Sequence, residues 1–137
     1  MKKINRLTFF GILLLSSIIV LSGCKKKSDS VTYPSVTFIV TYTSVQLQSG
    51  DAGVQFFAKC STTDVKMTKV VILDPIQSGT TTYNLNSQVF VTNQIFGLQD
   101  ETTAYLKTAG TYQITFTGLR VVDSAPFTVV ENVSVSK

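Results

Sequence analysis

From Ser35 to Val135 apolar residues recur at every second position in short runs, and each run stops at a cluster rich in Gly, Pro, Asp, Asn or Ser. A period of two sends alternate side chains to opposite faces of an extended strand, whereas a helix needs a period near 3.6, and no sustained 3.6 pattern follows residue 24. The pattern predicts an all-β fold with no helix longer than a turn or two. Ser35 to Thr43 sets Val36, Phe38, Val40 and Tyr42 on one face and Thr37, Ile39 and Thr41 on the other. After the turn cluster Ser49-Gly50-Asp51-Ala52-Gly53, a second run turns Val54, Phe56, Ala58 and Cys60 inward. Val65 to Leu73 ends in Val70-Val71-Ile72-Leu73 before Asp74-Pro75, a continuous apolar stretch that suits a central strand. Weaker runs cover Thr81 to Leu85, Gln88 to Val91 and Ile95 to Leu98. Thr111 to Thr117 places Tyr112, Ile114 and Phe116 on one face, with Gly110 before it and Gly118 after it, and the last run spans Phe127 to Val135. About seven short antiparallel strands within roughly 100 residues describe a β-sandwich.

The head of the chain follows another logic. Met1 to Arg6 is basic, and Leu7 to Val20 is apolar apart from Thr8, Gly11, Ser16 and Ser17. That run falls short of the roughly 20 residues a membrane-spanning helix needs and reads as an export signal. It closes on Leu21-Ser22-Gly23-Cys24, which resembles the lipobox of bacterial lipoproteins. The resemblance implies a signal peptide over residues 1–23, cleavage before Cys24, a lipid on the Cys24 sulfur and a tether over 24–34. The domain would then occupy 35–137, in a mature chain of 114 residues. The lipid is the only non-protein group implied, and the chain would be held on a membrane rather than inserted in it. An ordinary cleaved secretion signal is the bland alternative. Lys25 stands after the cysteine, where an Asp would mark inner-membrane retention in the best-known sorting system, so the expected address is the outer membrane of a bacterial envelope.

Charge excludes one class of partner. The chain carries 12 basic and 8 acidic residues. Lys2, Lys3 and Arg6 lie in the signal and Lys25, Lys26 and Lys27 beside the anchor, so from Ser28 onward 6 basic residues face 8 acidic ones. The basic pI belongs to the export signal and the tether, where the lysines attract anionic headgroups, and it gives no reason to expect nucleic acid.

Ala109-Gly110-Thr111-Tyr112-Gln113-Ile114 resembles the Gly-x-Tyr-x-Cys segment that opens the sixth strand of immunoglobulin-fold domains. On that resemblance Tyr112 is a structural tyrosine-corner residue, its ring in the core and its hydroxyl bonded to nearby backbone. Ile114 stands where the cysteine would be and the chain has no Trp, so an antibody-type domain is ruled out and a bacterial Ig-like or PKD-like domain fits better. The whole chain resembles a small lipoprotein of Bacteroidota with one such domain.

Chemistry-bearing groups are sparse. The chain has no His, which removes Ser-His-Asp and Cys-His catalysis and His-ligated metals. Cys60 has no intrachain partner once Cys24 is lipidated, and reads as a small buried hydrophobe or as a thiol for an intermolecular disulfide. Asp100-Glu101 is the only adjacent carboxylate pair, and neighbours in an extended segment point to opposite sides. No Asp-x-Asp-x-Asp-Gly run signals calcium. The chain reads as non-catalytic, without cofactor or metal.

Candidate binding residues remain. Ile39 and Phe57 fall on the outward faces of their strands and Tyr83 lies in a polar stretch. Either they are ordinary scattered surface residues, or Ile39 and Phe57 share an interaction patch and Tyr83 offers its ring to a sugar. Asp29-Ser30-Val31 and Asp123-Ser124-Ala125 resemble the O-glycosylation acceptor of Bacteroidota envelope proteins. The expectation is a lipid-anchored Ig-like module that meets an envelope protein partner, with a glycan-binding accessory lipoprotein of a nutrient-uptake system as the alternative.

Overall fold

The computed structural model describes residues 31–77, 79–99 and 104–137. The expected signal peptide, Cys24, most of the tether and the Asp100-Glu101 pair lie outside the described residues. Tyr33–Lys137 form one compact unit. Its strands in chain order are β1 Phe38–Gln46, β2 Ala52–Cys60, β3 Val65–Leu73, β4 Thr80–Phe90, β5 Phe96–Gly97, β6 Tyr105–Leu106, β7 Gly110–Arg120 and β8 Pro126–Val135. Among the described residues there is no helix. Every pairing is antiparallel, and short turns join the paired strands β1–β2, β3–β4 and β7–β8. In one sheet β1 pairs with β2, and β2 pairs on its other side with β5 and β6. The other sheet has the order β4-β3-β7-β8, so β3 has neighbours on both sides. The fold is all-β, with two antiparallel sheets facing each other as the layers of a β-sandwich do.

Alternation fills the space between the sheets. Phe38, Val54, Phe56, Ala58 and Cys60 come from one layer, and Val65, Met67, Val70, Ile72, Tyr112, Ile114 and Phe116 from the other; all are buried. Aromatic rings join the layers. Phe38 of β1 stacks on Phe116 of β7 with centroids 4.1 Å apart. Phe56 of β2 meets Tyr112 of β7 at 4.9 Å, and Phe90 of β4 meets Phe96 of β5 at 4.2 Å. Such pairs contribute about 0.5–1.5 kcal/mol each beyond the area they bury.

The structure differs from the sequence expectation where alternation breaks. Val65 and Met67 point inward and so do Val70 and Ile72, which an unbroken period of two forbids. Thr68 is the extra residue: relative to β7, Met67 faces Gly118 while Lys69 already faces Thr117. The Thr68 hydroxyl donates to the Thr117 carbonyl at 3.0 Å. Across from it, Met67 pairs with Gln88 and Lys69 with Asn84, so β4 is one strand with Leu85 to Ser87 bulged out, rather than two runs. Asn86 and Ser87 make this possible by taking φ of 46° and 64°, a region that short polar side chains tolerate. Gly118 is likewise not a strand terminus. It sits inside β7 because the Lys66 carbonyl crosses where a Cβ would stand, with Met67 Cα 2.9 Å from the same point. The two-residue strand β6 was not expected from the pattern at all.

Gly118→Ala should therefore cost about 2–3 kcal/mol, the usual scale for a forced backbone shift. Urea unfolding followed by far-UV circular dichroism should show a lowered midpoint with an unchanged slope.

Candidate functional site

The outer face of the β1-β2-β5 sheet follows from its registers. Ile39 lies opposite Lys59 and Thr41 opposite Phe57, and on the far side Phe57 faces Gly97. These residues have the parity opposite to Phe38, Val40, Phe56 and Ala58, so their side chains leave the core. Gly97 offers no side chain beside the Phe57 ring, and a Cβ there would stand 3.9 Å from Phe57 Cε1. β5 ends after two residues, leaving the sheet without a full third strand to flank Phe57. The result is a shallow depression of about 240 Å3 lined by Ile39, Thr41, Phe57, Ala58, Lys59 and Ile95. Ile95 is 68% exposed and Ile39 48%. The structure thus brings Ile39 and Phe57 together and adds Ile95. The signal for Ile95 was an aliphatic residue just past the Val91–Gln94 turn, but a strand pattern does not say onto which face a loop residue will fold.

Tyr83 is placed elsewhere. Its register partner is Val70 on the inner face of β3, and its ring packs against the core. It borders a cleft of about 150 Å3 between β4 and β5, with Leu85, Gln88 and Phe96 among its neighbours. Its hydroxyl lies 3.3 Å from that of Tyr105, and burial pushes the Tyr105 phenol well above its ordinary range. The half-buried ring thus packs on the core with one side and lines this cleft with the other.

The other candidate residues have structural surroundings. Tyr112 is buried, accepts from the Thr108 N–H at 3.2 Å and donates to the Leu106 carbonyl at 3.3 Å. Cys60 is a free thiol with no exposed surface, its sulfur 4.0 Å from the Thr62 hydroxyl. Asp64 accepts from both the backbone N–H and the hydroxyl of Thr92 at 2.7 Å, while its carbonyl accepts from Val121 N at 3.0 Å. One residue thereby ties together the β2–β3, β4–β5 and β7–β8 turns. The two Thr92 hydrogen bonds hold the Asp64 carboxyl below the usual carboxylate range. Among the described residues no three of Cys, Asp and Glu gather to hold a metal ion.

Arg120, which the sequence reading passed over, fixes the entry of the chain into the unit. It grips the Asp123 carboxylate through Nε and Nη2, donates from Nη1 to the Pro34 carbonyl at 3.0 Å and lies 5.7 Å from the centre of the Tyr33 ring. Partial desolvation pushes the Asp123 carboxyl up, but the Arg120 and Ala125 hydrogen bonds outweigh it and the group titrates below its ordinary value. Comparison of the chain with protein-family models, curated proteins and solved structures finds no match.

Two measurements check this account. Tyr112→Phe should keep the fold and lose about 1–2 kcal/mol in urea unfolding, because the Thr108 N–H loses its acceptor. A carboxylate depressed in the folded state adds stability above its unfolded pKa, near 4, and that stability is lost as pH falls through the folded value. Asp64→Asn should accordingly show a shallower fall of the unfolding midpoint between about pH 5 and pH 2 than the parent chain.

Proposed function

We propose that the chain is a non-catalytic, lipid-anchored protein of the bacterial envelope whose Ig-like domain binds a protein partner through the Ile39, Phe57 and Ile95 surface. The observation that carries the reading is the outer face of β1-β2-β5. Three apolar side chains from separate segments converge there around a depression with a single cation, Lys59, in its lining. A largely apolar surface of this kind gains by excluding water against another apolar surface and offers little to a sugar's hydroxyls. Tyr83, Tyr105 and Tyr112 lean toward the core rather than out to a ligand, which favours protein over glycan.

The Ig-like reading draws support from strand order. The first, second and interrupted fifth and sixth strands form one layer and the fourth, third, seventh and eighth the other. That is the two-layer arrangement of domains in which strand F carries the tyrosine corner, and Tyr112 of β7 bonds backbone four and six residues upstream. The lipid anchor rests on the Leu21-Ser22-Gly23-Cys24 motif and the export signal before it.

Site-specific photo-crosslinking tests the surface. With a photoreactive residue in place of Phe57 in the full chain, in its own membrane, a discrete protein adduct is expected. None is expected from Asn132, on the outer face of β8. Adding Ile95→Lys should cut the yield at position 57 roughly tenfold, the effect of losing about 1.4 kcal/mol at an anchor residue. Equal labelling from both positions, or a yield indifferent to Ile95→Lys, would overturn the proposal.

A further inference from the structure

The two ends of the unit are built differently. At one end lie the β1–β2 turn over 47–51 and the turn that follows Leu73, which use Ser49, Gly50 and Asp51 or Asp74 and Pro75, the residues such turns ordinarily select, with Ile76 as an exposed aliphatic among them. At the other end the β4–β5 and β7–β8 turns carry aliphatic residues. Arg120 N donates to the Ala125 carbonyl and Ser124 N to the Arg120 carbonyl, closing the β7–β8 turn. Ser124 supplies the positive φ of 57°, and Asp123 accepts from Ala125 N at 3.1 Å. All the turn requires is met by these residues, yet Val121 and Val122 occupy its tip, 48% and 52% exposed. β-branched apolar side chains on an exposed turn are a local choice that folding does not ask for.

These valines are not isolated. Asp64 holds Thr92 of the β4–β5 turn and Val121 of the β7–β8 turn on either side of itself, which sets the two turns at the same end. Between Tyr33 and Lys137, nine large hydrophobic residues are exposed among the described ones. Six of the nine, Ile39, Val89, Val91, Ile95, Val121 and Val122, cluster at this end, within two residue pairs of the strand termini. Lys59 and Lys66 stand on the two outer faces just behind them, opposite Ile39 and Val89. This is also the end at which the chain enters, since Arg120 pins the Pro34 carbonyl to the β7–β8 turn.

We propose that this tip, Val91, Val121 and Val122, rests in the headgroup region of the lipid bilayer, so that the domain stands end-on to the membrane. The inference rests on the lipid-anchor reading. Cys24 and Tyr33 are nine Cα-to-Cα steps apart, and a chain of that length reaches at most about 30 Å. The pinned entry brings the aliphatic tip, rather than the opposite turns, to the end of that tether. Apolar side chains backed by lysines whose ammonium groups meet lipid phosphates are the chemistry of an interfacial contact.

The chain contains no Trp, so a single introduced Trp reports alone. The full lipidated chain, carrying Val122→Trp or Val91→Trp at the tip or Ile76→Trp at the opposite end, is reconstituted into phosphatidylethanolamine–phosphatidylglycerol vesicles with brominated acyl chains. The expected result is flotation of all three, with tip emission shifted to the blue and quenched at least roughly twofold more than that of Ile76→Trp, as insertion by about 5 Å demands. Flotation with equal quenching at both ends, or with none at the tip, overturns the tip contact and leaves the anchor standing. Failure to float, with a mature mass that lacks lipid on Cys24, overturns the anchor and the tip contact together.

Discussion

Phe38 on Phe116, Phe56 on Tyr112 and Phe90 on Phe96 each take one ring from either sheet. Cys60, the one cysteine among the described residues, is free, so no disulfide does this work between the described parts of the layers. Their cohesion is dispersion and excluded water, which are short-ranged and fall away with small separations. Tyr112 shows how tightly the arrangement is drawn. Its ring goes to full depth only because its hydroxyl finds the Thr108 N–H and the Leu106 carbonyl. That pair of bonds in turn holds the β6–β7 turn against the sheet. Where the first layer thins to the two-residue strands β5 and β6, Phe96 and Tyr105 take over the cover of β4 by meeting Phe90 and Tyr83.

Legibility in the sequence tracks the range of the physics. Phe38, Val54, Phe56, Ala58, Cys60, Ile114 and Phe116 could be assigned inward because a period of two is local, and the structure buries each of them. The parity switch at Thr68 could not be read in advance. Nothing in Met67-Thr68-Lys69 marks an extra residue, and the cause is the register with Gly118 and Gln88, residues 50 and 20 positions away in the chain. Asn86-Ser87 carried a hint of irregular backbone, but as a break between strands it was indistinguishable from a bulge within one. Gly118 was misread for the same reason, because a glycine that ends a strand and a glycine that admits a crossing carbonyl look alike until the neighbouring strand is in place.

The candidate surface divides along the same line. Ile39 and Phe57 belong to regular strands, so their outward parity was plain, and their meeting follows from the two-residue step between Ile39↔Lys59 and Thr41↔Phe57, which makes them diagonal neighbours on one face. Ile95 and Gly97 come from a loop and a strand remnant whose positions depend on Asn93 N reaching the Cys60 carbonyl and Leu98 N the Phe56 carbonyl. Tyr83 is half-buried because an edge strand of Thr and Asn, polar as its sequence is, still turns one face to the core.

Charge and apolar surface separate in this chain in a way that bears on the proposals. Positive charge is concentrated before Ser28, while the remainder carries 6 basic and 8 acidic residues. Of the acids, Asp64 and Asp123 are occupied with Thr92 and with Arg120. A domain so close to neutrality exerts little long-range steering at physiological ionic strength, where charge is screened within about 8 Å. Its encounters depend on contact and on how the membrane presents it. Under the proposed anchoring, confinement near a bilayer supplies the local concentration that electrostatics does not, and a weak apolar contact at Phe57 becomes sufficient. Such a contact also limits the partner: with Ile95 at the tether end and Phe57 two residue pairs above it, the partner has to approach from the side and close to the lipid. Under the proposed anchoring, that position suits a partner held on the same membrane.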